Sequence, residues 1–105
     1  MIYGIPKPGD CATAIARWSV REVVYGDNAF PTRHLVGYVL KDIAGRTTSA
    51  IESFDRDNGL IRTSSGRLYQ LMGGPGCHDD AKYVWEQWSM FNRCRDEKVV
   101  TSDYF

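Results

Sequence analysis

Two glycine-containing turns near the middle of the sequence separate three short β-type segments, and this arrangement limits the possible folds more than any other feature. The segments are 47–54, 60–64 and 67–71. Asn58-Gly59 and Ser65-Gly66 lie between them and supply the positive φ angles that tight hairpin turns require. The spacing therefore predicts a three-stranded antiparallel meander over this part of the chain.

Residues 12–25, upstream of the meander, carry two competing periodicities. Their apolar residues recur at three- and four-residue spacing, as on a helix that begins after Asp10 and ends at Gly26. They also alternate with polar residues, as in a strand. The β-branched and aromatic residues that close the segment precede a turn signal and a second apolar run, 34–40, and two strands joined by a loop fit that order best. We predict a strand over 12–25, with a helix as the alternative.

A helix is predicted over 79–94, after a break at 73–76 that is rich in glycine and proline. Asp79 and Asp80 lie at its start, where the helix dipole favours negative charge. Apolar residues recur along it at three- and four-residue spacing, which is typical of an amphipathic helix with one buried face. They are Ala81, Val84, Trp85, Trp88 and Phe91.

These elements predict one α+β domain over residues 1–105. A curved antiparallel sheet of about five strands spans 12–71, and one C-terminal amphipathic helix covers a face of it. Residues 5–10 contain two prolines and a glycine, which predicts that 1–10 form an extended arm. Residues 95–105 are predicted as a tail after the helix, in which 99–105 form a last edge strand or a loose end.

Length and charge exclude several classes of protein. A chain of 105 residues has room for one compact domain. Thirteen basic and thirteen acidic side chains give a formal net charge of zero, so no overall field draws the chain to nucleic acid or to an anionic membrane. No segment approaches the roughly 18 apolar residues of a membrane span, and the first residues lack the pattern of a signal peptide. We predict a cytoplasmic protein with no membrane partner.

The candidates for catalysis or metal binding all fit structural roles better. Cys77-His78 lies at the predicted helix start, but neighbouring positions rarely converge on one substrate atom, and the acids that follow oppose thiolate formation. Adding Cys11 and Cys94 produces no paired-ligand spacing, so the cysteines are predicted to be reduced thiols. The carboxylates Glu52, Asp55 and Asp57 lie in or near a turn that is typical of a solvated tip. The sequence predicts no enzyme, no metal and no cofactor.

Two further features are assigned to structure. The segment 73–76 lacks the Gly-Lys-Ser/Thr sequence of a phosphate-binding loop, so a plain linker from sheet to helix is predicted. His34 lies between Arg33 and Leu35 at a strand start, and we predict it to be a surface residue.

Arginine and aromatic residues are interleaved along the predicted strands. Residues 1–50 have six basic and four acidic side chains, and 51–105 have seven and nine. With the aromatic residues of the helix filling a small core, other aromatic residues remain for the surface, and aromatic and arginine side chains are those that protein interfaces favour. We predict a partner-binding face made of Arg17, Trp18, Arg21, Arg62 and Arg67.

The same face suggests a second class of partner. Arginines interleaved with Trp18, Tyr38 and Tyr69 on a β-surface are typical of proteins that stack and hold single-stranded nucleic acid. The net charge of zero disfavours this interpretation, because affinity for nucleic acid depends chiefly on neutralised phosphates. Nucleic-acid binding is therefore kept as the alternative prediction.

The hydrophobic and turn pattern of 48–55 and 59–71 resembles that of small proteins from phage and prophage accessory regions. An upstream segment, 36–39, and the closing Trp85 and Trp88 fit the same pattern. The resemblance covers about two thirds of the chain and implies a sheet fold in a mobile-element setting, with no catalytic residue to transfer. Small proteins from such regions often act as stoichiometric inhibitors of host machinery, including the anti-CRISPR class.

The resemblance and the face together give the predicted function. We predict a non-enzymatic protein-binding module, a phage-derived stoichiometric inhibitor of a bacterial defence complex of the CRISPR type. Its partner would be a host protein or protein complex in the bacterial cytoplasm, bound by a monomer or a homodimer.

Overall fold

The computed structural model describes residues 12–25 and 30–104. The predicted arm 1–10 lies outside the described residues. The elements follow one another as β1 (Thr13–Val24), β2 (Thr32–Val39), β3 (Ala44–Asp55), β4 (Leu60–Thr63), β5 (Leu68–Met72), α1 (Asp79–Phe91), β6 (Arg95–Val99) and a 3₁₀ helix (Thr101–Tyr104).

Five of the strands close into a barrel. The sheet has the order β2-β3-β4-β5-β1-β6, and β1 also pairs with β2, so β1 to β5 form a ring. Ile15 of β1 lies opposite Val39 of β2 on one side and Leu71 of β5 on the other. Five strands that alternate in direction bring the first and last together in the same direction, so the β1–β5 pair is parallel. The prediction of a mixed α+β domain is confirmed, but the wholly antiparallel sheet predicted for 12–71 is wrong at this pair.

The segment 12–25, for which strand and helix competed, forms a strand. β1 is long because it has two partners along one edge: residues 13–16 pair with β5, and residues 21–24 pair with β6. A register shift against β2 between Ala16 and Ser19 marks a β-bulge, which switches the side of the strand that faces the interior. Ile15 before the bulge and Trp18 after it therefore both point into the barrel.

The predicted meander is confirmed as β3, β4 and β5. Gly59 has a φ of 63° and Gly66 has a φ of 87°, which are the left-handed conformations expected in the two turns. The Asp55 carboxylate accepts hydrogen bonds from the backbone and side-chain nitrogens of Asn58, at 3.3 and 2.8 Å. Residues 56–58 are exposed, which agrees with the solvated tip that the sequence predicts.

The helix is shorter than predicted and is not the last element. It ends at Phe91 rather than at residue 94, and β6 follows it as an edge strand antiparallel to β1. The edge strand predicted for 99–105 is wrong in place, because the strand is Arg95–Val99 and residues Thr101–Tyr104 form the 3₁₀ helix. The helix lies close to β3 at Gly45, where a Cβ atom would come within 2.5 Å of the backbone of Asp80 and Ala81. Only glycine permits this approach.

The apolar residues form two clusters. The interior of the barrel holds Ile15, Trp18, Val20, Leu35, Val39, Ile61, Tyr69 and Tyr104. A second cluster lies between the helix and the sheet and contains Val23, Val36, Ala81 and Trp85, with Trp88 packed against it. Phe91, predicted to face the core, is 87% exposed, because it ends the helix and extends past the sheet.

His34 is fully buried, so its prediction as a surface residue is wrong. Its ring lies 4.6 Å from that of Trp88. Nδ1 lies 2.9 Å from the carbonyl oxygen of Thr48, which can only accept, so Nδ1 carries the proton. Nε2 lies 2.7 Å from the hydroxyl of Thr32, which donates to it in the neutral ring. Burial lowers the pKa of His34 below its ordinary value, against a smaller opposing effect of the Thr48 hydrogen bond.

We expect the free energy of unfolding to decrease as the pH is lowered, because of His34. A lowered pKa means that the unfolded chain binds the proton more readily, so the contribution is complete above about pH 6.5 and is lost as the pH falls below that value. The loss attributable to this residue reaches at most about 1.4 kcal/mol per pH unit. Urea unfolding at pH 7.5, 6.5 and 5.5 measures it, with His34→Gln as the comparison. An equally steep decline in the variant would contradict the assignment.

Candidate functional site

The five residues of the predicted face do not lie together. Trp18 is 2% exposed in the barrel interior, and its Nε1 donates to the carbonyl oxygen of Gly73 at 3.1 Å. It cannot contact a partner, so its assignment to the face is wrong. The bulge in β1 is the physical reason, because it turns Trp18 inward. Arg62 and Arg67 lie beside the turn between β4 and β5, Arg17 lies in the β1 bulge, and Arg21 lies further along β1.

Arg21 belongs to a structural network between β1, β6 and the helix. Its Nη1 lies 3.1 Å from Oε2 of Glu97, and its guanidinium lies 5.4 Å from the centre of the Trp85 ring. The other carboxylate oxygen of Glu97 accepts from Nε1 of Trp85 at 2.8 Å. These contacts occupy the Arg21 side chain and hold the edge strand against the helix.

A cavity of about 370 Å³ lies beside the turn between β4 and β5. Its charged lining residues are Lys41, Arg62 and Arg67, which come from the β2–β3 hairpin, from β4 and from the turn itself. Nη1 of Arg62 donates to the carbonyl oxygen of Gly66 at 2.9 Å and so ties β4 to the turn. The remaining lining residues are Thr13, Ser65, Gly66 and Leu68.

A second, smaller cavity lies on the other side of the β2–β3 hairpin. It has a volume of about 240 Å³, and Arg17 supplies its charge. The rings of Tyr38 and His78 stack at 4.1 Å and form one wall. Leu40 also lines this cavity and precedes Lys41 of the first, so the hairpin separates the two. We call Arg17, Lys41, Arg62 and Arg67 together the basic end of the barrel.

The basic end has few neutralising acids. Asp42, on the same hairpin, pairs with Arg46. Within residues 12–25 and 30–104, no carboxylate forms an ion pair with Arg17, Lys41 or Arg67. A chain whose formal charge is zero therefore presents local positive charge at one end.

Exposed apolar side chains accompany these cations. Ile43, at the tip of the β2–β3 hairpin, is 76% exposed, and Leu40 is exposed on the same hairpin. Met72, also exposed, lies opposite Ala16 in the β1–β5 register and so beside Arg17, at the end of β5 away from Arg67. The β2–β3 hairpin therefore combines positive charge with apolar surface.

Two residues of this end hold the left-handed backbone conformation that favours glycine. Arg17 has a φ of 48° in the β1 bulge, and Ile43 has a φ of 50° at the hairpin tip. The conformation costs an L-residue about 1–2 kcal/mol, and it is an outlier for a β-branched side chain such as that of Ile43. Ile43 is exposed, so burial of its side chain does not compensate for this strain. Strained backbone of this kind clusters at functional sites.

We expect the exchange Ile43→Asn to raise the free energy of unfolding by about 1 kcal/mol, because asparagine tolerates this conformation. Urea unfolding of the wild type and the variant measures the change. Ala44→Asn, at the neighbouring position, is the matched control and should change stability by no more than about 0.5 kcal/mol. A less stable Ile43→Asn variant would contradict the assignment of strain.

Of Cys77 and His78, which were considered for catalysis, His78 is engaged in local structure. Nδ1 of His78 accepts from the backbone nitrogen of Asp80 at 3.1 Å and so caps the helix. Cys77 is exposed beside it. Gly76, at the end of the linker, donates from its backbone nitrogen to the carbonyl oxygen of Trp18 at 2.9 Å. Among the described residues, no group of three or more potential ligands could hold a metal ion.

Lys41 is the residue of the basic end that the sequence did not indicate. It lies in a short hairpin without a motif, and its position beside Arg62 and Arg67 depends on barrel closure. The backbone nitrogen of Leu40 donates to the carbonyl oxygen of Ala14 at 3.3 Å, which ties the hairpin to β1. No local sequence signal indicates that contact.

Comparison with family models, curated proteins and solved structures found no match to this chain. The resemblance to phage accessory-region proteins therefore rests on the sheet pattern alone. In the described part of the chain, the helix is too short and too polar to cross a membrane.

Proposed function

We propose that this protein is a non-enzymatic binding module whose basic end docks on an acidic surface of a protein partner. The observation that carries the proposal is the coincidence of positive charge and exposed apolar side chains at one barrel end. Lys41 and the exposed Ile43 lie on the same hairpin, and Arg17 lies across the smaller cavity from it. Apolar contacts supply affinity at protein interfaces, and complementary charge supplies orientation and association rate.

A protein partner fits this end better than single-stranded nucleic acid. Proteins that hold single strands stack bases on exposed aromatic rings. Trp18 and Tyr69, two of the aromatic residues that suggested this class, are buried in the barrel interior. Tyr38, the third, stacks against His78. The exposed side chains beside the cations are aliphatic or thioether groups, which pack against protein surfaces.

We further propose that binding inhibits the partner. Occupation of a partner's acidic surface would block whatever else binds there, with no covalent step and with one inhibitor molecule per partner. The resemblance of the strand pattern to phage accessory proteins makes a bacterial defence complex of the CRISPR type the first partner to test. In this proposal the protein acts in the bacterial cytoplasm.

A photo-crosslinking experiment tests the proposal. A benzophenone amino acid is placed at Ile43, and at Tyr83 on the exposed face of the helix as the control. After irradiation in cells that produce the protein, we expect one discrete adduct from position 43 that nuclease leaves unchanged and that contains peptides of a second protein. Equal adducts from both positions, or an adduct that nuclease removes, would overturn the proposal.

A further inference from the structure

The smaller cavity is built from three parts of the chain that are tied to one another. The β2–β3 hairpin is joined to β1, because the backbone nitrogen of Leu40 donates to that strand at 3.3 Å. The linker before the helix is joined to the β1 bulge by the 2.9 Å hydrogen bond from Gly76 to Trp18. The linker is joined to β2 by the stacked rings of Tyr38 and His78. The fold therefore shapes this cavity before any ligand arrives.

Arg17 is the charged residue of the described lining, and its backbone is held on two sides. On one side the preceding Ala16 pairs with Tyr38 of β2. On the other side the linker passes so close that a Cβ atom at Gly76 would lie 3.4 Å from the Cα atom of Arg17. Arg17 keeps its left-handed φ of 48° at a position where glycine would be relaxed. Because such strain clusters at active sites and ligand clamps, it indicates a role for this side chain.

The hydrogen-bonding groups of the cavity suit an anion. In the part of the chain that the structure describes, Arg17 forms no ion pair. Asp79 and Asp80 follow His78 in sequence, but neither is among the described lining residues. Nδ1 of His78 accepts from the backbone nitrogen of Asp80, so Nε2 carries the proton of the neutral ring. The guanidinium and this imidazole therefore both offer donors.

The size and the other walls narrow the class of anion. The volume of about 240 Å³ is below the roughly 300–1,000 Å³ of pockets for drug-sized ligands, so a small molecule fits best. Ala16, Leu40 and the ring of Tyr38 supply apolar surface beside the guanidinium. One guanidinium balances one negative charge, and its fork matches the two oxygens of a carboxylate. A phosphate monoester carries about −1.5 to −2 charges and would be balanced only in part.

We propose that the smaller cavity binds a small monocarboxylic acid. Its carboxylate accepts hydrogen bonds from Arg17, and its apolar body lies against Leu40 and the ring stack. This site goes beyond the proposed docking function, because its ligand is a free small molecule. The two proposals fail independently. The docking test measures a crosslink from Ile43 without added acid, and the charge reversal used with it leaves Arg17 unchanged.

Titration of the ¹⁵N-labelled full-length protein with benzoate tests the site. Sodium chloride keeps the ionic strength constant, and the pH is held at 7.5. We expect the backbone amide signals of Arg17, Leu40 and His78 to shift together and to saturate, with a dissociation constant on the order of millimolar for so small a ligand. The signals of Ser65 and Gly66, beside the larger cavity, should not move. Shifts that rise without saturating would overturn the proposal.

Three further probes separate the charge of the ligand from its apolar body and identify its source. Benzamide keeps the ring without the charge, and acetate keeps the charge without the ring. Each should bind at least about tenfold more weakly than benzoate. Equal binding of benzamide or of acetate would overturn the proposal. Tighter binding of N-acetylglutamate methylamide than of benzoate would overturn it in favour of an acidic side chain of a protein partner.

Matched variants separate the cavity from general positive charge. Arg17→Gln should weaken benzoate binding at least about tenfold, the usual effect of losing a charged hydrogen bond. Arg17→Lys keeps the charge without the fork, so its affinity should lie between those of Arg17→Gln and the wild type. Arg67→Gln removes the same charge outside this cavity and should stay within about twofold of the wild type. The amide spectrum verifies that each variant is folded. Wild-type affinity in Arg17→Gln, or an equal loss in Arg67→Gln, would overturn the proposal.

Discussion

Replacing Trp18 with alanine is expected to lower the free energy of unfolding by about 3–5 kcal/mol. The side chain is 2% exposed in the barrel interior, and its removal would leave a cavity beside Ile15 and Val20. The hydrogen bond from its Nε1 to the Gly73 carbonyl would be lost as well. A domain of this size has about 5–15 kcal/mol of stability in total, so much of the variant population would be unfolded at 37 °C.

Urea unfolding followed by tryptophan fluorescence and circular dichroism measures the effect of Trp18→Ala. Trp18→Phe is the milder comparison, since it keeps much of the apolar volume and should lose less stability. Arg17→Ala, at the adjacent exposed position, should change stability by about 0.5 kcal/mol or less. A Trp18→Ala variant as stable as the wild type but unable to bind its partner would restore the surface role that the sequence suggested.

Reversing two charges of the basic end is expected to weaken partner binding about 100-fold, which corresponds to about 2.7 kcal/mol. The double variant Lys41→Glu/Arg67→Glu places acids opposite an acidic partner surface and replaces attraction with repulsion. Neither side chain forms an ion pair within the described residues, and both are exposed, so the fold should be retained.

The control for the charge reversal makes the same change in net charge at two positions outside the basic end. Lys82 lies exposed on the helix, and Lys98 lies on the edge strand β6 beside Glu97. Lys82→Glu/Lys98→Glu should therefore bind the partner about as well as the wild type. Equal weakening by the two double variants would show that overall charge governs binding, and the basic end would lose its special role.

Local features of the sequence were sufficient to predict most secondary structure. The turns at Gly59 and Gly66, the strand over 12–25 and the helix start at Asp79 each depend on residues near one another in the chain. Closure of the barrel depends on pairing between Thr13 of β1 and Tyr69 of β5, which are far apart in sequence. No periodicity within either strand indicates that contact, so the parallel pair was not predicted.

One bulge explains why the candidate site was only partly predicted. In a regular strand Ile15 and Trp18 face opposite sides, and the bulge at Arg17 brings both to the interior. The same bulge turns Arg17 outward in a left-handed conformation. The sequence argument assigned Trp18 to the surface because the aromatic residues of the helix were expected to fill a small core. Arginine content alone could not distinguish Arg17 from Arg21, which is held by Glu97.

Crosslink yield from position 43, compared between wild-type and charge-reversed backgrounds, tests whether the partner docks on the basic end. We expect one protein adduct in the wild-type background, its loss with Lys41→Glu/Arg67→Glu, and its retention with Lys82→Glu/Lys98→Glu. Circular dichroism of the three backgrounds verifies that each is folded. An adduct of unchanged yield in the Lys41→Glu/Arg67→Glu background would contradict this expectation and show that the basic end does not hold the partner.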